Sequence, residues 1–268
     1  MSVLNKKNEF LDFALKLSDE SEKIIFQYFR TKLIIDNKED KSPVTIADRN
    51  TELKIRELIK LQYPDHGILG EEYEVTNLDS EYLWVIDPID GTKSFIAGHK
   101  DFGTLIALLH NKKPILGIIN CPAHKERWIG LTGKKTTLNG KEVKTSNVEK
   151  VDESYTCTTG LYFQNQHFKK GFERITEETK YFRFGGDCYM YGMVASGLID
   201  IVIEDTLKIH DYMALIPIIE GAGGKITDKY GKSIDFNSDG SVVATANEKL
   251  HKKVINLFKW LILIKDNL

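Results

Sequence analysis

The chain is short of cysteine. The three it has among 268 residues, Cys121, Cys157 and Cys188, are too few and too far apart for a zinc site or a disulfide framework, and they point to a reducing compartment. It also lacks an excess of one charge. Lys and Arg number 37 against 39 Asp and Glu, a formal net charge of −2, so there is no basic surplus for nucleic acid and no acidic tail. Long hydrophobic runs are missing, and the longest, such as 260–264, fall far short of a bilayer span. The first ten residues are polar and carry no apolar core of a signal peptide, so the expected location is the cytoplasm. No low-complexity segment or internal repeat is evident. The seven histidines show no ligand spacing, and His210-Asp211 is an isolated dipeptide. Neither His-Glu-x-x-His nor Gly-x-Ser-x-Gly occurs, and Gly91-Thr92-Lys93-Ser94 lacks the adjacent Gly-Lys and the upstream glycine of a nucleotide-binding loop. What is left is an ordinary globular composition, 41% hydrophobic and 28% charged, long enough for one large domain or two small ones.

One stretch organises the rest: Trp84-Val85-Ile86-Asp87-Pro88-Ile89-Asp90-Gly91-Thr92-Lys93-Ser94-Phe95. Residues 82–86 read as a short buried strand that ends on Asp87, where Pro88 removes a ladder donor. Asp90 follows three residues later, and Gly91 lets the chain turn into a short helix from Thr92. Two carboxylates on one tight turn repel unless a positive charge lies between them. An all-oxygen set suits a hard divalent cation such as Mg²⁺. The free N–H groups from Gly91 onward suit an anion, so the pair of sites suggests a phosphate ester held against metal. Alone, the stretch is equally a strand end with two solvated acids.

The flanking chain adds weight. Residues 10–29 have helical apolar spacing with a polar break at 18–22, giving one long helix or two shorter ones. Residues 33–35 read as a strand. Ser42-Pro43-Val44-Thr45-Ile46-Ala47-Asp48 leads into a helix over 45–62, with Asp48 an ordinary first-turn acid. Gly67-Ile68-Leu69-Gly70-Glu71-Glu72 is a second short strand that ends on carboxylates, delivered in the same way as Asp87 and Asp90. Strands over 105–109, 115–119 and 127–129 form an antiparallel meander, and Asn139-Gly140 marks a hairpin. Beyond it, strands at 155–158, 181–184, 199–203, 225–227 and 242–246 alternate with helices at 165–180, 189–196 and 211–220, and 249–264 forms a closing helix. Two parts are expected: an α+β half, 1–147, carrying most metal ligands, and an α/β half, 148–268. Asp211 and Asp187 both read locally as helix caps, Asp187 after the Gly185-Gly186 turn. Gly221-Ala222-Gly223-Gly224 follows a helix and so ends it.

Asp87-Pro88-Ile89-Asp90-Gly91-Thr92-Lys93-Ser94-Phe95, with Gly70-Glu71-Glu72 and Thr45-Ile46-Ala47-Asp48 before it and Asp211 at a late helix start, resembles the inositol monophosphatase superfamily of Mg²⁺-dependent, lithium-sensitive phosphatases over about residues 8–262. Two positions depart from the family pattern: Ser94 stands in place of the usual Asn, and His210 in place of Trp. Asp90 to Phe95, Phe102-Gly103-Thr104-Leu105-Ile106, Arg183-Phe184-Gly185-Gly186-Asp187-Cys188-Tyr189 and Leu207-Lys208 through Asp211 look most like the histidinol-phosphate phosphatase branch.

The resemblance implies a layered αβαβα sandwich, usually a homodimer, with Mg²⁺ as cofactor at two or three ions per site. It implies that Glu71, Asp87 and the Ile89 carbonyl hold one ion, that Asp87, Asp90 and Asp211 hold another, and that Glu71 also serves a third. Thr92, backed by Asp48, would orient or deprotonate the attacking water, and the Gly91 and Thr92 amides would hold phosphate oxygens. Asp187 and Glu204 would face the leaving alcohol, where an acid suits the ammonium and imidazole of histidinol. The implied activity is hydrolysis of histidinol phosphate in histidine biosynthesis. The alternatives are an inositol 1-monophosphatase, a nucleotide 3′-phosphatase of the same superfamily, and a non-catalytic phosphate- or metal-binding regulator. Asp187 separates a cationic substrate from a polyanion.

Overall fold

The computed structural model of the chain describes residues 3–38 and 43–263. Ser42 and Ile264, at the edges of two expected segments, lie outside the described residues. In chain order the elements are α1 (Val3–Tyr28), β1 (Ile35–Asn37), β2 (Pro43–Thr45), α2 (Ile46–Gln62), β3 (Gly67–Gly70), β4 (Tyr82–Asp90), α3 (Thr92–Ile96), β5 (Gly103–His110), β6 (Lys113–Cys121), β7 (Glu126–Leu131), β8 (Thr137–Leu138), β9 (Lys141–Glu142), β10 (Tyr155–Thr158), α4 (Gln166–Glu178), β11 (Tyr181–Phe184), α5 (Asp187–Ala195), β12 (Ile201–Glu204), α6 (Ile209–Tyr212), α7 (Leu215–Gly221), β13 (Lys225–Thr227), β14 (Val242–Thr245) and α8 (Glu248–Leu263). The seven strands β3 to β9 form one sheet in sequence order, and a five-stranded sheet has the order β11-β10-β12-β14-β13.

Strand alternation builds the layers. Even-numbered residues Trp84, Ile86, Ile106, Leu108 and Ile118 meet Phe10, Phe13, Leu17, Ile55 and Ile59 of α1 and α2. Odd-numbered residues Leu83, Val85, Leu105, Ala107 and Ile119 face the other way, onto Tyr191, Val194, Met213, Leu215 and Ile218 of α5 to α7. The same cluster continues into Val202, Val242 and Ala244 of the smaller sheet. The opposite face of that sheet, through Ile201, Ile203 and Val243, is covered by Phe168, Phe172, Leu250 and Val254 of α4 and α8. The order is helix, sheet, helix, sheet, helix, as the αβαβα expectation has it.

Several elements differ from the sequence reading. The polar break at 18–22 does not split α1, because Ser18 and Ser21 are fully buried and Ser21 Oγ donates back to the Ser18 carbonyl at 2.8 Å. On its outer side Asp19 pairs with Arg127 at 2.7 Å. β4 does not stop at Asp87. It runs to Asp90 through a register shift against β5, which absorbs the missing Pro88 donor. The short β2, unmarked in the sequence reading, pairs with β1. The helix expected over 211–220 is two pieces, α6 and α7, because Pro217 has no N–H to give the Met213 carbonyl.

Close backbone approach seats α6 and α7. A Cβ on Gly117 would lie 2.0 Å from the Ala214 carbonyl oxygen, and one on Gly130 would lie 2.3 Å from the Pro217 carbonyl carbon. Only glycine on β6 and β7 lets this helix pair sit so deep, and the pair carries Asp211. Gly117→Ala is therefore expected to destabilise the fold by about 1–3 kcal/mol through overpacking. Urea unfolding measures this, and an unchanged midpoint would contradict the account.

Candidate active site

The site begins with the parallel pairing of β3 and β4. Gly70 is in register with Ile86, so Glu71 and Asp87, the next residue on each strand, emerge side by side at the carboxyl edge of the sheet. Alternation points Asp87 into the middle helical layer, where α6 brings Asp211. Carboxylate oxygens of Asp87, Asp90 and Asp211 lie within 4.8 Å of one another, and so do ligand atoms of Glu71, Asp87 and His210. The chain thus brings together the four acids expected to hold metal. His210, set aside in the sequence as an isolated dipeptide, joins them. Asp211 is not the cap itself. It is the third residue of α6, and its Oδ2 accepts the Lys208 N–H at 2.6 Å.

These residues fit a hard cation. Asp87 Oδ1 is buried and has no hydrogen-bond partner. Burial, followed by the charges of Glu71, Asp90 and Asp211, pushes the Asp87 carboxyl well above its ordinary range. Burial and then the Asp187 charge do the same to Asp90, although the Cys188 N–H donates to its Oδ2 at 2.6 Å. Asp211 is also raised, chiefly by burial. A divalent cation among them would relieve both the repulsion and the orphaned oxygen. Lys38, which the sequence reading did not flag, already supplies one positive charge, with its ammonium 2.7 Å from Glu71 and 2.6 Å from Glu72. Burial would lower its pKa, but its bonds to Glu71 and Glu72 outweigh that and raise it. Nothing local in the sequence marks this lysine, because its partners lie more than thirty residues away.

Asp48 caps α2 in a capping box. Its Oδ2 accepts the Thr45 N–H at 2.8 Å and the Thr45 hydroxyl at 2.6 Å, while Thr45 Oγ1 accepts the Ala47 N–H. The other carboxylate oxygen, Oδ1, lies 3.4 Å from the Thr92 hydroxyl, which is 3.1 Å from the Ile89 carbonyl. Burial raises the Asp48 carboxyl despite those bonds. Thr92, Asp48 and the Ile89 carbonyl therefore meet in one place, at the start of α3.

Ser94, one of the two departures from the family pattern, is tied to Asp187. Ser94 Oγ donates to Asp187 Oδ2 at 2.5 Å, across 93 residues of sequence. Asp187 opens α5 in the left-handed region, at φ 43°, and packs onto Gly91, where an added Cβ would lie 2.9 Å from the Asp187 carboxyl carbon. Gly91 itself has φ 81°. Burial raises the Asp187 carboxyl, with the Ser94 bond opposing it. Glu204, at the end of β12, accepts the Tyr191 hydroxyl at 2.7 Å and the Thr159 N–H at 3.3 Å. Burial lifts its pKa to about 7.

An open cleft of about 520 Å³ runs over Glu71, Asp90 to Ser94, Asp187 and Asp211, and an adjoining pocket of about 120 Å³ ends on Asp187, Glu204 and Asp205. Asp205 and Tyr162, both on that pocket wall, were missed in the sequence. Glu204-Asp205 repeats the acid pair at a strand end seen at Glu71-Glu72, and that repeat was the available signal.

Fold and site together define a layered α/β protein whose acids gather at strand ends in a form suited to a divalent cation beside an anion-binding turn. The model of the inositol monophosphatase family matches residues 6–262, and the chain belongs to that family of phosphatases. It is 43% identical over 253 residues to the bifunctional phosphatase IMPL2, chloroplastic, of Arabidopsis thaliana, covering 91% of this chain and 73% of that protein. It is 34% identical over 247 residues to a histidinol-phosphatase of Chlorobaculum parvum, covering 91% and 95%. An inositol monophosphatase from Zymomonas mobilis superposes with a TM-score of 0.86 at 38% identity, covering 97% of this chain and all of that one. Among the described residues no helix is long and apolar enough to cross a membrane.

Asp87, Asp90 and Asp211 hold their protons more tightly folded than unfolded. As pH rises from about 4 the unfolded chain gives them up first, so stability falls with rising pH until the folded carboxyls also ionise. Without metal, the melting temperature is therefore expected to drop between about pH 5 and pH 8, and Mg²⁺ should restore it. Asp87→Asn should melt higher than the wild type at pH 8 without metal and lose most of the Mg²⁺ effect. Scanning calorimetry measures all three, and a pH-independent midpoint that ignores Mg²⁺ would overturn the reading.

Proposed function

We propose that the protein is a Mg²⁺-dependent phosphomonoesterase that hydrolyses histidinol phosphate by direct attack of water. The observation that carries the substrate choice is the Ser94–Asp187 hydrogen bond, which fixes an acid on the leaving-group side of the cleft. Similarity to proteins named histidinol-phosphatase supports the same choice.

Glu71, Asp87, the Ile89 carbonyl, Asp90 and Asp211 are the residues that would hold Mg²⁺. What a divalent ion would supply there is neutralisation of phosphate charge and a lower pKa for the attacking water. The chain does the rest. The Gly91 and Thr92 N–H groups, on the cleft wall at the start of α3, would hold phosphate oxygens. When the Thr92 hydroxyl donates to Asp48, Oγ1 can accept a proton from water as its own hydrogen passes to Asp48, whose carboxyl burial raises. Asp187 and Glu204 offer two carboxylates to the ammonium and the imidazole of the alcohol. Glu204, with a pKa of about 7, ionises readily once a cation sits beside it.

The Zymomonas mobilis inositol monophosphatase keeps an inositol ester as the second reading. The two separate at Asp187. Asp187→Ala should raise KM for histidinol phosphate about thirtyfold, ~2 kcal/mol for a lost charged hydrogen bond. KM for inositol 1-phosphate should stay within about twofold. Steady-state kinetics with both esters decides it, and equal effects on the two would remove Asp187 from substrate choice.

A further inference from the structure

The pocket beyond the phosphate cleft has an aromatic wall that none of these roles uses. Tyr162 lines both the cleft and the pocket that ends on Asp187 and Glu204, so it stands where one opens into the other. It is 58% exposed, a large ring left in solvent at the mouth of an acidic chamber. Its position is fixed from two sides. Lys93 Nζ lies 4.9 Å from the ring centroid and 3.4 Å from the hydroxyl. The ring also folds back over Gly160, where an added Cβ would come within 2.6 Å of it.

The loop that carries Tyr162 is held by the acids of the pocket. Glu204 accepts the Thr159 N–H at 3.3 Å, and Asp205 accepts the Gln164 N–H at 2.9 Å. Consecutive carboxylates at the end of β12 thus hold the segment at both ends. Acid at the floor and an aromatic ring at the mouth are complementary to one kind of group: a flat ring that carries positive charge.

We infer that Tyr162 is a specificity-determining residue, whose ring stacks on a flat, cationic leaving group while Asp187 and Glu204 take its charge. This rests on the phosphatase reading above and deepens it: the selected alcohol is aromatic as well as cationic. The proposed role places Tyr162 on the leaving group and not among the acids that would hold metal, so its effect is expected on KM with kcat unchanged.

The test compares Tyr162→Ala and Tyr162→Phe on histidinol phosphate and on phosphoethanolamine, an ammonium ester without a ring. Tyr162→Ala should raise KM for histidinol phosphate about tenfold and move KM for phosphoethanolamine less than twofold, with kcat unchanged for both. Tyr162→Phe should keep the wild-type values. Equal shifts on both esters, no shift on either, or a Phe variant as poor as the Ala variant would overturn the stacking role. Wild-type enzyme that does not prefer histidinol phosphate to inositol 1-phosphate would instead count against the substrate reading. In that event phenyl phosphate against glycerol 2-phosphate decides Tyr162 on the same variants. A KM rise confined to the phenyl ester supports stacking, and a uniform one overturns it.

Discussion

Repulsion among carboxylates crowded at the edge of one sheet governs this molecule. Parallel pairing of β3 with β4 sets Glu71 beside Asp87, and α6 adds Asp211 from the other half of the chain. Such a cluster is costly unless it is neutralised, and the chain offers only part of the remedy, in Lys38 at its rim. The rest of the fold tolerates the strain because hydrophobic layers pack on both faces of the sheet that carries it. The fit of the cluster to a cation thus follows from the packing and does not depend on recognising a motif.

The middle layer does most to link structure to chemistry. Its helices are buried between the two sheets, and two of them present acids to the cleft: Asp187 from α5 and Asp211 from α6. Their depth depends on glycines of the larger sheet, at Gly117 and Gly130, far from the cleft in sequence. A methyl group at either position would push against the α6–α7 backbone and so shift Asp211 relative to Asp87. The proposed specificity rests on the same layer. Asp187 reaches over Gly91 to bond to Ser94, so the residue beside the Gly91 turn and the acid proposed to face the leaving group are one device.

Much of this was legible in the chain because it is local. Gly70-Glu71-Glu72 is a strand end as read, the apolar run to Ile86 is a strand although it continues to Asp90, and helical periodicity marked α2 and α8. Family resemblance then gave the acids their roles. What was hidden depends on contacts distant in sequence or on polar groups that pack inside. Ser18 and Ser21 look like a helix break, yet both are buried and Ser21 bonds back to the Ser18 carbonyl. β4 runs on past Pro88 because a register shift absorbs the missing donor, a choice made by its partner strand. Lys38 finds Glu71 and Glu72, and Ser94 finds Asp187, only through the tertiary fold. Glu204-Asp205 was half read, since its first member carried a resemblance and its second did not.

The claim that this carboxylate site serves a cationic alcohol is tested most directly by phosphate release with Mg²⁺ from a panel of esters: histidinol phosphate, inositol 1-phosphate, fructose 1,6-bisphosphate and adenosine 3′,5′-bisphosphate. The account predicts that histidinol phosphate leads in kcat/KM by about a hundredfold, ~2.7 kcal/mol at the transition state. A flat profile, or a lead for inositol 1-phosphate or either bisphosphate, would contradict it.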